Sequence, residues 1–265
     1  MVPRANRIAL DIITFFIYRR EVLKVIEEFL EYVSNYDETR DRVRFKKEHT
    51  LRVRSLAMQI AQKSGFTEEE VELAGIIGLL HDIGRFEQDR LYESFTDAKT
   101  MDHAEYGADL LFKESLISKY TERREWYPAI EYAIRNHNKL SLVPNEDELS
   151  YKMGKLIRDA DKIDIIYLLG VLGNYDEKSD DSEISPSVVK CFDERRCVDS
   201  RDVKTKNDKI ASTMAFAFDI NYDASLDFIR KYLIAYYERV EQNDKFKSLF
   251  EKAIEYLDER IEKIC

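Results

Sequence analysis

The sequence predicts an all-α fold, and three observations carry the prediction. Only 8 glycines and 4 prolines occur among 265 residues, against the roughly 12% that average usage of these turn-formers would give. No strand-like alternation of apolar and polar residues persists anywhere in the chain. Apolar residues recur instead three and four apart, which places them on one face of a helix. Charged residues make up 35% and hydrophobic residues 44% of the chain. That mix suits long amphipathic helices and excludes a wholly disordered protein. The chain is long enough to bury a sizeable core, and it reads as one helical domain over residues 1–265.

The elements follow in order. Residues 4–34 read as one or two helices carrying Phe15, Phe16 and Tyr18. Residues 41–63 read as a long helix closed by Ser64-Gly65. Thr67 with Glu70 makes a capping box that opens the next helix. From Leu73 to Leu80 that helix is apolar all round, so it must be buried. Its Ala74, Gly75 and Gly78 let neighbouring helices approach. It is expected to end at His81-Asp82-Ile83-Gly84, with Gly84 as the C-terminal cap. Asp102 with Glu105 marks another helix start. Further helices are expected at 103–115, 127–137 and 148–169. The stretch Asn174 to Asn207 is polar and broken by Pro186, with a short helix around 186–194. It is long for a loop, which makes 174–207 a candidate lid that would bring Lys204, Lys206 and Asn207 toward a substrate. Residues 208–265 return to amphipathic helix. There Phe246, Leu249, Phe250, Ala253, Ile254, Leu257 and Ile261 form one stripe, either core packing or a dimer face.

The net charge is -10. A nucleic-acid polymer is therefore a poor general partner, since its binding rests on neutralising phosphates with Lys and Arg. A small anion in a locally basic pocket stays open. No stretch reaches the ~20 apolar residues that span a bilayer. The best candidate, Ile8 to Tyr18, is short and contains Asp11, so no membrane partner is expected. The 3 cysteines are Cys191, Cys197 and Cys265. An odd number, with two in one polar segment, points to reduced thiols and a cytoplasmic location. A Cys191–Cys197 zinc pair lacks nearby ligands.

The chain has 4 histidines, His49, His81, His103 and His137, and each falls on the apolar side of its helix. His49 lies four residues from Phe45 and from Val53. His103 shares a face with Tyr106, Gly107 and Leu110, and His137 with Ile130, Ala133 and Ile134. A lone inward histidine is most often a core residue with one hydrogen bond. Four in one core would be costly without a shared partner, and a metal ion is the usual one. Asp82, at the end of the most apolar helix, is expensive to desolvate without a counter-charge, and a helix C-terminus favours a cation. Among the three carboxylates after Arg158, Asp161 has Ile157, Ile165 and Leu168 at helical spacing and points inward. Asp159, between Lys155 and Lys162, reads as a solvated ion-pair position, and Asp164 as semi-interior. Imidazole and carboxylate donors suit manganese, iron or zinc. Six ligands are too many for one ion that also needs open positions, but natural for two ions sharing Asp82.

This ordered set resembles the HD-domain superfamily of metal-dependent phosphohydrolases. The matching text is Lys47-Glu48-His49-Thr50, Leu80-His81-Asp82-Ile83-Gly84-Arg85, Asp102-His103-Ala104, Asn136-His137-Asn138 and Arg158-Asp159-Ala160-Asp161-Lys162, spanning residues 40–170. The resemblance implies a helical bundle around one or two divalent ions, with Mn, Fe, Mg, Zn and Ni not distinguished. His49, His81, Asp82 and Asp161 would hold one ion. His103 and His137 would hold a second, with Asp82 shared. The implied activity is hydrolysis of a small phosphate ester or nucleotide by a metal-activated water. Asp82, Arg85, Arg158 and Lys162 would be the catalytic residues, with Arg85, Arg158 and Lys162 gripping the phosphate and Glu87 and Gln88 in support. Two other readings stay open. One is a di-iron oxygenase resembling myo-inositol oxygenase, which has the same ligand order. The other is a non-catalytic nucleotide-binding sensor. Guanosine tetraphosphate hydrolases are less similar, because an acidic pair usually stands where this chain has Arg85-Phe86-Glu87-Gln88.

Overall fold

A computed structural model describes residues 23–173, 178–240 and 243–264. Among the described residues every regular element is helical and there is no strand. Residues Phe15, Phe16, Tyr18 and Cys265 lie outside the described residues, as do 174–177.

The centre of the bundle is built from α2 (Asp41–Lys63), α3 (Glu68–Leu80), α6 (Tyr127–Asn136) and α7 (Glu148–Tyr167). Thr67 accepts from the Glu70 amide and Glu70 accepts in return from the Thr67 amide, so the capping box is formed. From Leu73 to Leu80 every residue of α3 is buried. Gly78 is needed for that: a Cβ there would lie 2.7 Å from the Arg54 Cα of α2. Val53, Ala57 and Ile60 of α2 meet this helix, and Ile130, Ala133, Ile157 and Ile163 close the same core from α6 and α7.

Gly84 is not the helix cap that the sequence suggests. α3 stops at Leu80, His81 and Asp82 form a two-residue break, and α4 (Ile83–Tyr92) starts at once. Gly84 is not among the positive-φ glycines. It is glycine because α5 (His103–Phe112) crosses there: a Cβ would sit 2.3 Å from the His103 carbonyl oxygen and 2.9 Å from the Gly107 nitrogen. This backbone contact brings His103 up to His81-Asp82. The described part of the first helix, α1 (residues 23–33), covers α4 with Phe29 against Phe86.

Asp102 caps α5 by accepting from the Ala104 and Glu105 amides, and α5 ends at Phe112, short of the expected 115. Asp147 caps α7. A wider π-helical turn, Leu168–Leu172, then ends on Gly173 at φ 65. Beyond it come α8 (Pro186–Asp193), α9 (Lys206–Met214), α10 (Leu226–Arg239) and α11 (Lys247–Glu262). The α11 stripe is packed: Phe246, Leu249, Ala253 and Leu257 are buried, and Phe250, Ile254 and Ile261 lie partly buried on the core.

The described part of 178–207 is pinned at several points. Asn207 is buried and donates to the Asp180 and Ser182 carbonyls, which also accept from Lys245. Asp208 accepts from Ser185, Lys204 and Thr205. Asn207 therefore holds the chain rather than facing a substrate, and Lys204 and Lys206 are exposed side chains. No described helix is long and apolar enough to cross a membrane.

Candidate metal centre

His49 projects from the middle of α2, His81 and Asp82 from the α3–α4 break, His103 from the first residue of α5, and His137 from the C-terminal end of α6. Asp161 projects from α7. The four histidines and Asp82 are buried, and all six side chains converge.

Each imidazole is oriented through Nδ1. His49 Nδ1 is 2.7 Å from Asp164 Oδ2, and His103 Nδ1 is 2.7 Å from Asp97 Oδ2. His81 Nδ1 is 2.8 Å from the Gly78 carbonyl oxygen, and His137 Nδ1 is 2.7 Å from that of Ile134. An oxygen acceptor requires the proton on Nδ1, so in the neutral ring Nε2 carries a bare lone pair. Four lone pairs thus point inward. His49 Nε2 lies 3.1 Å from Asp161 Oδ1 and 3.5 Å from Asp82 Oδ2. His81 Nε2 lies 3.5 Å from Asp82 Oδ2 and 3.6 Å from Asp161 Oδ1. On the other side of Asp82, Oδ1 is 3.2 Å from His103 Nε2 and 3.7 Å from His137 Nε2. The two Nε2 atoms of His103 and His137 are 3.0 Å apart.

These spacings suit ions. Donor atoms about 2.1 Å from a metal, at angles of about 90–110°, lie roughly 3.0–3.4 Å from one another. Two facing imidazole lone pairs repel unless a cation lies between them. Among the described residues, the buried Nε2 atoms of His49 and His81 have no aligned hydrogen-bond partner. Two donor groups that can hold an ion emerge, His49-His81-Asp82 and Asp82-His103-His137, and they share Asp82. Asp161 faces the first. A third group, Asp97-Asp102-His103, uses the outer side of His103, where Asp97 is already bonded.

The electrostatics agree. Burial opposes ionisation of Asp82, yet Lys46 and the surrounding histidines hold its carboxyl well below the ordinary value. Asp161 is held down likewise by His49 and His81 against the effect of burial. Burial and Lys46 oppose a charge on His49, but Asp161, Asp164 and Asp82 outweigh them and push it up to about 10. Those carboxylates favour any cation at Nε2, whether a proton or a metal ion. Burial pushes His137 down to about 4, so it stays the neutral imidazole a metal needs.

Basic groups flank the centre. Lys46 Nζ is 2.5 Å from Asp82 Oδ2. Sequence reasoning missed Lys46, although it lies three residues before His49 and so shares its face. Arg85 Nε is 3.6 Å from Asp82 Oδ1, while its Nη1 donates to Asp97, Gln88 and the Phe95 carbonyl. Gln88 is buried and donates to Asp97, Thr100 and the Met101 carbonyl. Asp97, also missed, therefore joins Arg85 to His103. Glu87 turns to Arg90 and Tyr36 instead.

Two expectations are corrected. Arg158 is not placed to grip a phosphate. It is buried, and its donors go to Asp219 and to the carbonyls of Asn136, His137, Lys139 and Leu140. It holds the backbone that carries His137. Asp159 is not solvated: it is buried and accepts from Asn221, Tyr222 and Ser225. Burial still pushes it up to about 6 against those bonds. Lys162 Nζ is 2.8 Å from Asp219, in the wall of a small cavity that also reaches His137 and Asp161. That cavity, about 200 Å³, and a larger one of about 530 Å³ reaching His49, Lys46 and Arg85, share Ile165 and Phe216 as a wall. Cys191 and Cys197 are free thiols.

The family model for the HD domain matches residues 47–166. All six converging side chains fall within that span. Searches of curated proteins and of solved structures returned no match. The superfamily marked by this domain consists largely of metal-dependent hydrolases and includes non-catalytic members.

Proposed function

Since residues 47–166 form an HD domain, we propose that this protein is a metal-dependent phosphohydrolase acting on a small phosphate ester or nucleotide. The observation that carries the reading is the pair of donor groups sharing Asp82, with Lys46 and Arg85 beside it in the wall of a cavity. His49, His81, Asp82 and Asp161 would hold one divalent ion, and Asp82, His103 and His137 a second. When bound, such ions supply Lewis-acid charge and lower the pKa of water to near neutrality.

The chain's own groups have distinct tasks. Asp164 and Asp97 hold the rings of His49 and His103 so that Nε2 faces inward. Lys46 and Arg85 set two positive charges at the metal end of the cavity, where they would stabilise charge growing on phosphate oxygens. Lys162 would add a third from the smaller cavity. Arg158 contributes by positioning His137.

The test is turnover of a panel of phosphate esters and nucleotides with added manganese, in wild type and Asp82→Asn, alongside metal content by mass spectrometry. The substitution keeps the shape and removes the shared charge. The expected result is turnover in wild type that falls at least a hundredfold in the variant, with bound manganese reduced. Turnover that survives in Asp82→Asn would sink the assignment of the site. A metal-loaded wild type that consumes dioxygen and hydrolyses nothing would move the protein to the oxygenase reading. One that binds nucleotide without turnover would move it to the sensor reading.

A further inference from the structure

The larger cavity is strongly polarised. Its cations at the metal end, Lys46 and Arg85, both lie against the Phe95 ring, at 5.7 and 5.6 Å from its centroid. Away from that end the walls are mainly Phe45, Ile165, Leu168, Leu169 and Phe216. The hydroxyls of Ser212 and Thr213 also reach the cavity, but each donates back to the Lys209 carbonyl within α9. They are thus poor donors to an anion. Among the described residues, exposed Lys209 is the one cation lining the cavity away from the metal end. A volume of about 530 Å³ is far more than one phosphate needs and falls in the range of small-molecule sites. A second phosphate inside would face leucine and phenylalanine and lose its hydration without replacement. An apolar ring would find aromatic partners.

The far wall has a separate origin. Lys209, Thr213 and Phe216 belong to α9 and the turn after it, beyond residues 47–166 that match the HD domain. The metal end thus comes mainly from the family domain, while the apolar end combines Phe45 of α2 and Ile165 of α7 with Leu168, Leu169 and the C-terminal Phe216.

We propose that this cavity is the subsite for the organic group of the substrate, and that it selects phosphate monoesters of an apolar, ring-bearing alcohol or phenol through Phe216. The proposal rests on the phosphohydrolase reading for its phosphate end. The reaction is hydrolysis: a P–O bond forms to water, the P–O bond to the organic group breaks, and the leaving oxygen takes a proton. The products are inorganic phosphate and the free alcohol or phenol, and no further co-reactant is consumed.

The test is calorimetric titration of the manganese-loaded protein with 1-naphthylphosphonate and methylphosphonate, whose C–P bonds resist hydrolysis, and with adenosine monophosphate. Naphthylphosphonate should bind at least tenfold more tightly than the other two. Phe216 is only partly buried, so Phe216→Ala should fold, as a circular dichroism melt will show. It should cut the naphthyl-to-methyl ratio about tenfold, the loss expected for one aromatic contact, and Phe216→Leu should restore part of it. Equal affinity for the two phosphonates, a ratio unmoved in Phe216→Ala, or tighter binding of adenosine monophosphate would each overturn the proposal. Turnover of 1-naphthyl phosphate is read in parallel. If naphthylphosphonate binds selectively and the ester is not hydrolysed, the subsite stands and the hydrolase reading falls. If esters are hydrolysed with no ring preference, the reverse holds.

Discussion

The two halves of the donor cluster are built differently. His49 and Asp161 sit within long helices, α2 and α7, and Asp164, one turn from Asp161, braces His49. Arg52 in turn holds Asp164 through two hydrogen bonds, at 2.8 and 3.1 Å. His103 and His137 sit at helix ends, the first braced from the short 3-10 turn Asp97–Lys99 and the second from α7. Asp97 holds His103, and Arg158 gathers the carbonyls around His137. The charges differ too. Three carboxylates push His49 up to about 10, whereas burial pushes His137 down to about 4. The first half has Asp161 and Asp164 beside the shared Asp82, whereas the second has Asp97 beside it. The lesson is that the two sites should differ in affinity, with the first filling before the second.

Four measurements can break or sharpen that difference. The largest effect is expected at the shared residue. Asp82→Ala should take bound manganese from about two ions per chain to near zero and cut turnover more than ~1000-fold; mass spectrometry and steady-state kinetics check both. A variant that still holds two ions would end the comparison. Next, His103→Ala should leave one tightly bound ion, whereas His49→Ala should weaken the tight site itself; competitive chelator titration separates the two outcomes. Equal losses would mean that the halves are equivalent. Third, the braces should act locally. Asp97→Asn should weaken the second ion by about 10–100-fold and spare the first, and Asp164→Asn should do the opposite.

The smallest effect on metal, though not on stability, is expected at Arg158. Arg158→Met leaves Asp219 and four carbonyl oxygens short of a buried donor. It should cost about 3–5 kcal/mol of stability, read from denaturant unfolding, and loosen the second ion in the same protein. The intact first site would show that the loss is confined to the half that Arg158 supports.

Much of this architecture was legible in the residues. The inward direction of His49, His103, His137 and Asp161 follows from helical spacing. The capping box of Thr67 and Glu70, the Asp102 cap and the buried run from Leu73 to Leu80 follow from local chemistry. Lys46 was legible by the same spacing rule, since it shares a face with His49. Gly84 misled because a glycine after an apolar helix suits a cap, while its real constraint is α5 crossing at His103 and Gly107. Asp159 misled because its neighbours Lys155 and Lys162 suggest a solvated face. The turn of Asn221 and Tyr222, 62 and 63 residues away, covers that face.

By itself, the sequence determined that the protein is helical, which side of each helix is apolar, and that the four imidazoles and Asp161 turn inward. These are properties of one helix at a time, set by a period of 3.6 residues and by end caps. Only the tertiary structure decided which oxygen holds each imidazole, that Arg158 is consumed by a backbone turn, and that Lys46 and Arg85 meet at Asp82. It also decided that α9 walls the larger cavity. Each of these depends on groups far apart in sequence meeting within hydrogen-bonding or packing distance. Such meetings are decided by how helices cross, which no single helix encodes.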